Sequence, residues 1–236
     1  MSYQAIFKRY EIKFLISKAQ ADVLKTIMSE YMMADKHGQS TVCNLYFDTP
    51  DFLLIRRSIE KPIYKEKLRL RSYGKATSEK QVFPELKKKY KGIVYKRRLE
   101  MTEKKAMACL FGKMSFPDTQ IGREISYCFE RYQGLAPRVF LSYEREAFYA
   151  KDSGDFRMTF DKNILWRDYD LSLCSGIYGT PILDSDKILL EVKTSGAIPL
   201  WLTKWLSENK IYKTSFSKYG NAYMEMERRK GEKKYA

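Results

Sequence analysis

Charged residues fall on every second position in six separate stretches of this chain, and that spacing limits the folds open to it. Arg9, Glu11 and Lys13 form one set, and Lys65, Lys67, Arg69 and Arg71 another. Glu85, Lys87 and Lys89 repeat the pattern, as do Tyr143 with Arg145, Arg157 with Asp161, and Glu191 with Lys193. Successive side chains of a strand point to opposite faces, so each set projects from a single face. In Lys67-Leu68-Arg69-Leu70-Arg71 the opposite face is apolar and needs a cover. One such strand would be an ordinary solvated edge. Six of them predict a sheet curled around a basic interior, a container for a polyanion.

The charge balance agrees. Among 236 residues, 44 Lys and Arg face 29 Asp and Glu, for a net charge of +15. Such an excess calls for an anionic partner: nucleic acid, nucleotide, polyphosphate or a membrane surface. Carboxylates interleaved with the cations count against a nucleic-acid groove, which favours cations beside exposed stacking aromatics. No run approaches the roughly 20 apolar residues that span a bilayer, and the N-terminal residues lack the apolar stretch of a signal peptide. The expectation is a cytoplasmic chain without membrane insertion.

Cys43, Cys109, Cys128 and Cys174 form no CxxC pair, so reduced thiols are expected. A single histidine, His37, rules against Ser-His-Asp and polyhistidine chemistry. A metal would have to be held by carboxylates, which favours Mn²⁺ or Mg²⁺. Phe111-Gly112-Lys113-Met114-Ser115 is not a P-loop and no GxGxxG is present, so side-chain cations would have to do the work of phosphate-binding amides.

Strands are predicted at 5–16, 42–48, 63–73, 81–90, 138–149, 155–162 and 187–194, with Asp152-Ser153-Gly154-Asp155 as a hairpin turn. Ser17 caps a helix bearing Ala21, Leu24, Ile27, Met28 and Tyr31 at helical spacing. Further helices are predicted from Thr102 to Leu110, over 121–133, and after Pro199. The class is α+β. No linker or repeat divides the chain, so one domain is expected over 1–226, followed by a charged, disordered tail at 227–236.

Arg69 and Arg71 present two guanidiniums on one face, suited to forked bonds with phosphate. Glu11 beside Lys13 and Glu85 beside Lys87 pair acid with base. Arg145 and Arg157 come from adjacent strands. Glu191 lies in Ile188-Leu189-Leu190-Glu191-Val192, where a carboxylate needs a metal or an arginine partner. Lys88, Lys91, Lys96, Arg97 and Arg98 read as an outer basic patch that guides product.

Taken in order, these segments resemble the VTC domain, the polyphosphate polymerase domain of the vacuolar transporter chaperone complex and its bacterial relatives, within the triphosphate tunnel metalloenzyme superfamily. The resemblance runs through Arg9-Tyr10-Glu11-Ile12-Lys13-Phe14, Leu45-Tyr46-Phe47-Asp48-Thr49-Pro50-Asp51-Phe52, Leu68-Arg69-Leu70-Arg71 and Glu85-Leu86-Lys87. It continues in Tyr143-Glu144-Arg145, Arg157 to Asp161, Leu190-Glu191-Val192-Lys193 and Phe216-Ser217-Lys218-Tyr219. It implies an antiparallel eight-stranded tunnel with helices outside, holding ATP and a growing polyphosphate chain.

By the same resemblance Lys13, Arg69, Arg71, Lys87, Arg145, Arg157 and Lys218 match catalytic phosphate-binding positions, and Tyr143 matches a tunnel tyrosine. Glu191 matches the ligand of Mn²⁺ or Mg²⁺, with Glu85 or Glu11 assisting. Lys67, Lys89 and Lys193 join Glu11 and Tyr143 as substrate-binding residues. Coupling to transport would come from membrane-protein partner chains.

Three departures matter. Ser215 stands where relatives often carry lysine, Arg9 replaces the first acid of the ExExK motif of hydrolytic members, and Lys193 follows Glu191 where those members offer a second carboxylate. Loss of these acids argues for transfer over hydrolysis. The alternatives are a tunnel triphosphatase and a non-catalytic polyanion binder.

Overall fold

The computed structural model describes residues 10–152 and 155–234. In chain order it comprises β1 (Tyr10–Ser17), α1 (Lys18–Met28), β2 (Met32–Asp48), α2 (Leu53–Ile59), β3 (Tyr64–Tyr73), β4 (Gln81–Tyr90), β5 (Ile93–Arg98) and β6 (Met101–Thr102). There follow α3 (Glu103–Leu110), α4 (Gln120–Arg131), β7 (Ala136–Ala150), β8 (Arg157–Arg167), β9 (Thr180–Pro181), β10 (Lys187–Thr194), α5 (Leu200–Glu208), β11 (Lys213–Thr214) and α6 (Lys218–Lys234). Arg9 and the start of the first expected strand lie outside the described residues, as do Ser153 and Gly154 of the expected turn.

Local chemistry accounts for most helix starts. Ser17 and Gln20 form a capping box at α1. Thr102 and Thr119 accept backbone N–H groups at the starts of α3 and α4. Pro199 precedes α5. Helix α2 is different: Phe52 stands before it with a left-handed φ of 57° and no side-chain cap. Its first amide, Leu53 N, donates instead to Thr49 Oγ1, and Asp48, at the end of β2, accepts from Leu54 N and Ile55 N.

The strands form one antiparallel sheet in the order β11-β1-β10-β8-β7-β2-β3-β4-β5, with β6 on β4 and β9 on β8. Two cores cover its outer face. Under α1 and α5 lie Phe14, Ile16, Met158, Phe160, Leu190 and Val192. Under α3 and α4 lie Cys43, Leu45, Phe47, Leu68, Leu70 and Leu86. These are the partners of the charged residues in the alternation, so the helices bury the apolar face, at about 1.5–3 kcal/mol for each large side chain. A third core lies inside the curl, where Tyr219, Ala222 and Met226 of α6 meet Tyr46, Val139, Leu141 and Trp166 and plug part of it.

A bulge makes this plug compatible with the charged face. Between Ser142 and Glu144 the β7–β8 register shifts, and Asn163 takes a left-handed φ of 50°. The extra residue moves the inward positions of β8 from Asp161 to Ile164 and Trp166, so one strand supplies both charge and inner core.

The sheet corrects the expected count. Among the described residues it has eleven strands rather than eight, and its backbone ladder ends at β5 and β11 without closing. Inside the curl, one strand in from the β5 edge, Lys87 Nζ on β4 donates to Glu11 Oε2 on β1 at 2.7 Å. Helix α6 runs to Lys234, beyond Glu227 where a disordered tail was expected. Among the described residues no helix is long and apolar enough to cross a membrane.

Candidate functional site

Strand parity turns Glu11 and Lys13, Lys67, Arg69 and Arg71, Glu85 and Lys87, Tyr143 and Arg145, and Glu191 and Lys193 toward one inner surface. Lys218 enters it from the first turn of α6. The carboxylates on this surface each sit among cations.

Glu85 is fully buried. Its Oε2 accepts from Arg69 Nε and Nη2 at 2.8 and 2.6 Å. Its Oε1 takes Arg98 Nε at 2.7 Å and Lys96 Nζ at 2.9 Å, and Arg71 Nε stands 3.8 Å away. Burial would raise its pKa, but Arg69, Arg71, Lys96 and Arg98 prevail and hold it well below the usual carboxylate range. Arg71 also donates to Asn44 Oδ1 at 3.0 Å and Tyr143 Oη at 3.2 Å, and Arg69 to Tyr46 Oη at 3.1 Å.

Asp161 forms a second group. Arg145 grips it with two bonds of 2.6 and 2.7 Å, and Lys218 Nζ donates at 2.5 Å. Burial opposes ionisation, yet Arg145 and Lys218 bring the pKa down to about 2. Tyr143 lies under the Arg145 guanidinium and the Lys218 ammonium, 5.0 and 4.4 Å from its ring centre. Burial pushes its phenol up, but Arg145, Arg71 and Lys218 outweigh that and lower it to about 7.

Glu191 makes a third, 3.1 Å from Lys193 Nζ and opposite Lys13 in the β1–β10 register. Burial raises its pKa and Lys193, Lys13, Arg145 and Lys218 depress it well below normal. Beside it, burial and neighbouring charge lower the ammonium pKa values: Lys13 falls to about 8, and Lys67, next to Lys13, Lys87 and Lys65, to about 7. Lys13 Nζ donates to the Phe216 carbonyl at 2.8 Å and Lys67 Nζ to Ser217 Oγ at 3.1 Å.

The structure thus brings together most of the residues singled out from sequence. Two lie apart: Lys89 is paired with Lys65 toward the end of the β3–β4 hairpin, and Arg157 is exposed at the start of β8, opposite Lys193 and Tyr149. The outer basic patch divides. Lys88 and Arg97 do face outward, onto Glu124, but Lys96 and Arg98 face inward onto Glu85. The signal for them was the Lys91-Gly92 turn, with φ of 46° and 84°, which makes Ile93–Arg98 the second strand of a hairpin and sets its parity. Asn44, Tyr46 and Ser217 were also missed as site residues.

Glu85 does not suit the metal role expected of it, because guanidinium and ammonium groups occupy both its oxygens. Among the described residues no three His, Cys, Asp or Glu side chains cluster as a metal cage. Glu191 and Glu11 are diagonal neighbours on β10 and β1; burial and the Glu191 charge push the Glu11 pKa up, but Lys87 and Lys193 prevail and hold it below the usual carboxylate value. As two carboxylates with one oxygen each left by their lysine partners, that pair would suit a hard divalent ion of the Mg²⁺ or Mn²⁺ type.

Residues 8–227 match the family model of the VTC domain. The fold is similar to a candidate adenylate cyclase from Bacillus halodurans, at 16% identity and a TM-score of 0.55, over 89% of this chain and 96% of that one. It is also similar to a candidate adenylyl cyclase from Hippeastrum with a dominant triphosphatase activity, at 16% identity and a TM-score of 0.54, over 89% and 93% of the two chains. No curated protein matches the sequence.

Proposed function

The chain belongs to the VTC domain family of triphosphate tunnel proteins, and from that premise we propose that it is a polyphosphate polymerase, moving the γ-phosphoryl group of ATP onto a growing inorganic polyphosphate chain. The observation that carries this reading is that every carboxylate described on the inner surface is engaged by a cation: Glu85 by Arg69 and Arg98, Asp161 by Arg145 and Lys218, Glu191 by Lys193, and Glu11 by Lys87. None stands ready to deprotonate water, whereas the cations in excess of them suit a chain of phosphates.

Phosphoryl transfer depends mainly on positioning and charge neutralisation. Arg69, Arg71, Lys67 and Lys87 hold phosphate oxygens on one wall; Arg145, Lys218, Lys13 and Lys193 hold them on the other. Arg157 and Lys89, nearer the strand ends, guide the chain. Glu191, assisted by Glu11, would hold a divalent ion, which would supply charge neutralisation on the triphosphate oxygens. A terminal phosphate oxygen of the chain attacks the γ-phosphorus, the bond to the β–γ bridging oxygen breaks, ADP leaves and the chain grows by one unit. The nucleophile is already an anion at neutral pH, so no general base is needed.

The test is incubation with ATP and Mn²⁺, with products resolved on a gel stained for polyphosphate. A ladder with stoichiometric ADP is expected. Free phosphate without a ladder would replace this reading with a triphosphatase. Binding of triphosphate without turnover would leave a polyanion-binding protein. Glu191→Gln is expected to abolish the ladder while polyanion binding persists.

A further inference from the structure

Four inward-reaching polar contacts hold the start of α6 in the tunnel. The Phe216 carbonyl accepts from Lys13 on β1 and Ser217 Oγ from Lys67 on β3. Lys218 Nζ donates to Asp161 on β8, and Tyr219 Oη donates to Asp48 Oδ2 at the end of β2, at 2.8 Å. Three of the four use a lysine of the tunnel. A triphosphate lying there competes for those ammonium groups, so these anchors weaken when the site fills. The fourth involves no cation and is untouched by a polyanion.

That fourth contact is well built. Asp48 is fully buried, and it accepts from the amides of Thr49, Leu54 and Ile55 at 2.9, 2.9 and 3.0 Å as well as from Tyr219. Its carboxylate is thereby fixed to the first turn of α2. The Tyr219 ring stacks on Tyr46, with centroids 4.6 Å apart, and Tyr46 Oη receives Arg69. One residue before Tyr219, Lys218 reaches Asp161 and Tyr143.

We infer that Asp48 and Tyr219 are positioning residues, a pin that keeps Lys218 and Ser217 in the tunnel once phosphate has drawn Lys13, Lys67 and Lys218 away from their resting partners. This rests on the reading of the tunnel as a triphosphate site. Its mark is a defect that appears with ligand bound. In Tyr219→Phe the three lysine anchors still seat α6 in the free protein, and the pin is missing only when it is needed.

The experiment measures thermal unfolding of wild type, Tyr219→Phe and Tyr223→Phe, each with and without inorganic triphosphate, and triphosphate affinity by calorimetry. A ligand bound only to the native state raises Tm according to its affinity. Wild type and Tyr223→Phe are expected to show equal shifts. Tyr219→Phe should keep a free Tm near wild type, show a clearly smaller shift at the same triphosphate concentration and bind triphosphate about tenfold more weakly, a difference of about 1.4 kcal/mol. Asp48→Asn combined with Tyr219→Phe should weaken binding little further than either alone, as expected of residues acting through one contact. Equal losses of Tm in the free and bound Tyr219→Phe protein, or unchanged affinity, would reduce the contact to a structural one and overturn the inference. If wild type itself does not bind triphosphate, the reading of the tunnel fails first and takes the pin with it.

Discussion

Four cations converge on the one carboxylate of Glu85, and removing that charge exposes how the tunnel is held between ligands. Glu85→Gln would leave Arg69, Arg71, Lys96 and Arg98 facing one another, and breaking a buried ion pair from one side costs about 3–5 kcal/mol. The variant is expected to melt well below wild type and to recover more Tm than wild type on adding triphosphate, which supplies the missing negative charge. Asp161 gives a pH test. Its pKa falls from 3.8 unfolded to about 2 folded, so its contribution is complete above about pH 4 and is lost as pH falls toward 2. Asp161→Asn should flatten that acid limb of the Tm profile. Lys67 is lowered too, to about 7, by burial and by Lys13, Lys87 and Lys65, but for an ammonium that favours the neutral form, so phosphate bound beside it should draw a proton onto it at pH 8. Calorimetry in buffers of different ionisation enthalpy should report net proton uptake on triphosphate binding at pH 8. The alternation of charge announced which residues share the inner face, because parity is a property of the strand alone. It could not announce that the Glu85 oxygens are already taken, because that depends on Arg98, contributed by a strand the sequence reading did not separate.

At the scale of elements, legibility followed the location of the cap. Helices that begin on their own Ser, Thr or Pro were found, as at Ser17, Thr102 and Pro199. Helix α2 was missed because its cap, Asp48, sits upstream on β2. The end of α6 was read as a loose tail for its charge density, yet those charges pair at helical spacing: Glu225 with Arg228 and Arg229, Glu227 with Lys230, and Arg228 with Glu232. The early part of β2 was missed because Asp35 to Ser40 carries no apolar alternation, and there its pairing with β7 slips between Ala34 and Gln39. The β8 bulge offers an element-scale test. Asn163 holds a left-handed φ and donates to Glu144 Oε1 at 2.7 Å. Asn163→Val should destabilise the protein by about 1–2 kcal/mol in denaturant melts, whereas Asn163→Gly should cost much less, because glycine accepts that backbone.

For the whole molecule, a net charge of +15 makes polyanion capture a matter of field as well as contact. Raising salt from 0.05 to 0.5 M should slow association with polyphosphate steeply in stopped-flow measurements, while the dissociation rate changes less. The overall container was foreseeable from sequence; its incomplete closure was not, since no residue spacing reports whether the last strand meets the first.

That incomplete closure bears on how a polymer gets in. A sealed ring has to be threaded from a free end, and long chains offer few ends. Here, among the described residues, the ladder ends at β5 and β11, and inside that seam Lys87 on β4 meets Glu11 on β1 through side chains alone. A seam with no ladder across it would behave as a clasp, parting between β5 and β11 so that a cord is laid in sideways. Polyphosphate blocked with bulky groups at both termini should therefore still bind, and a disulfide engineered across the β5–β11 seam should restrict binding to chains with a free end.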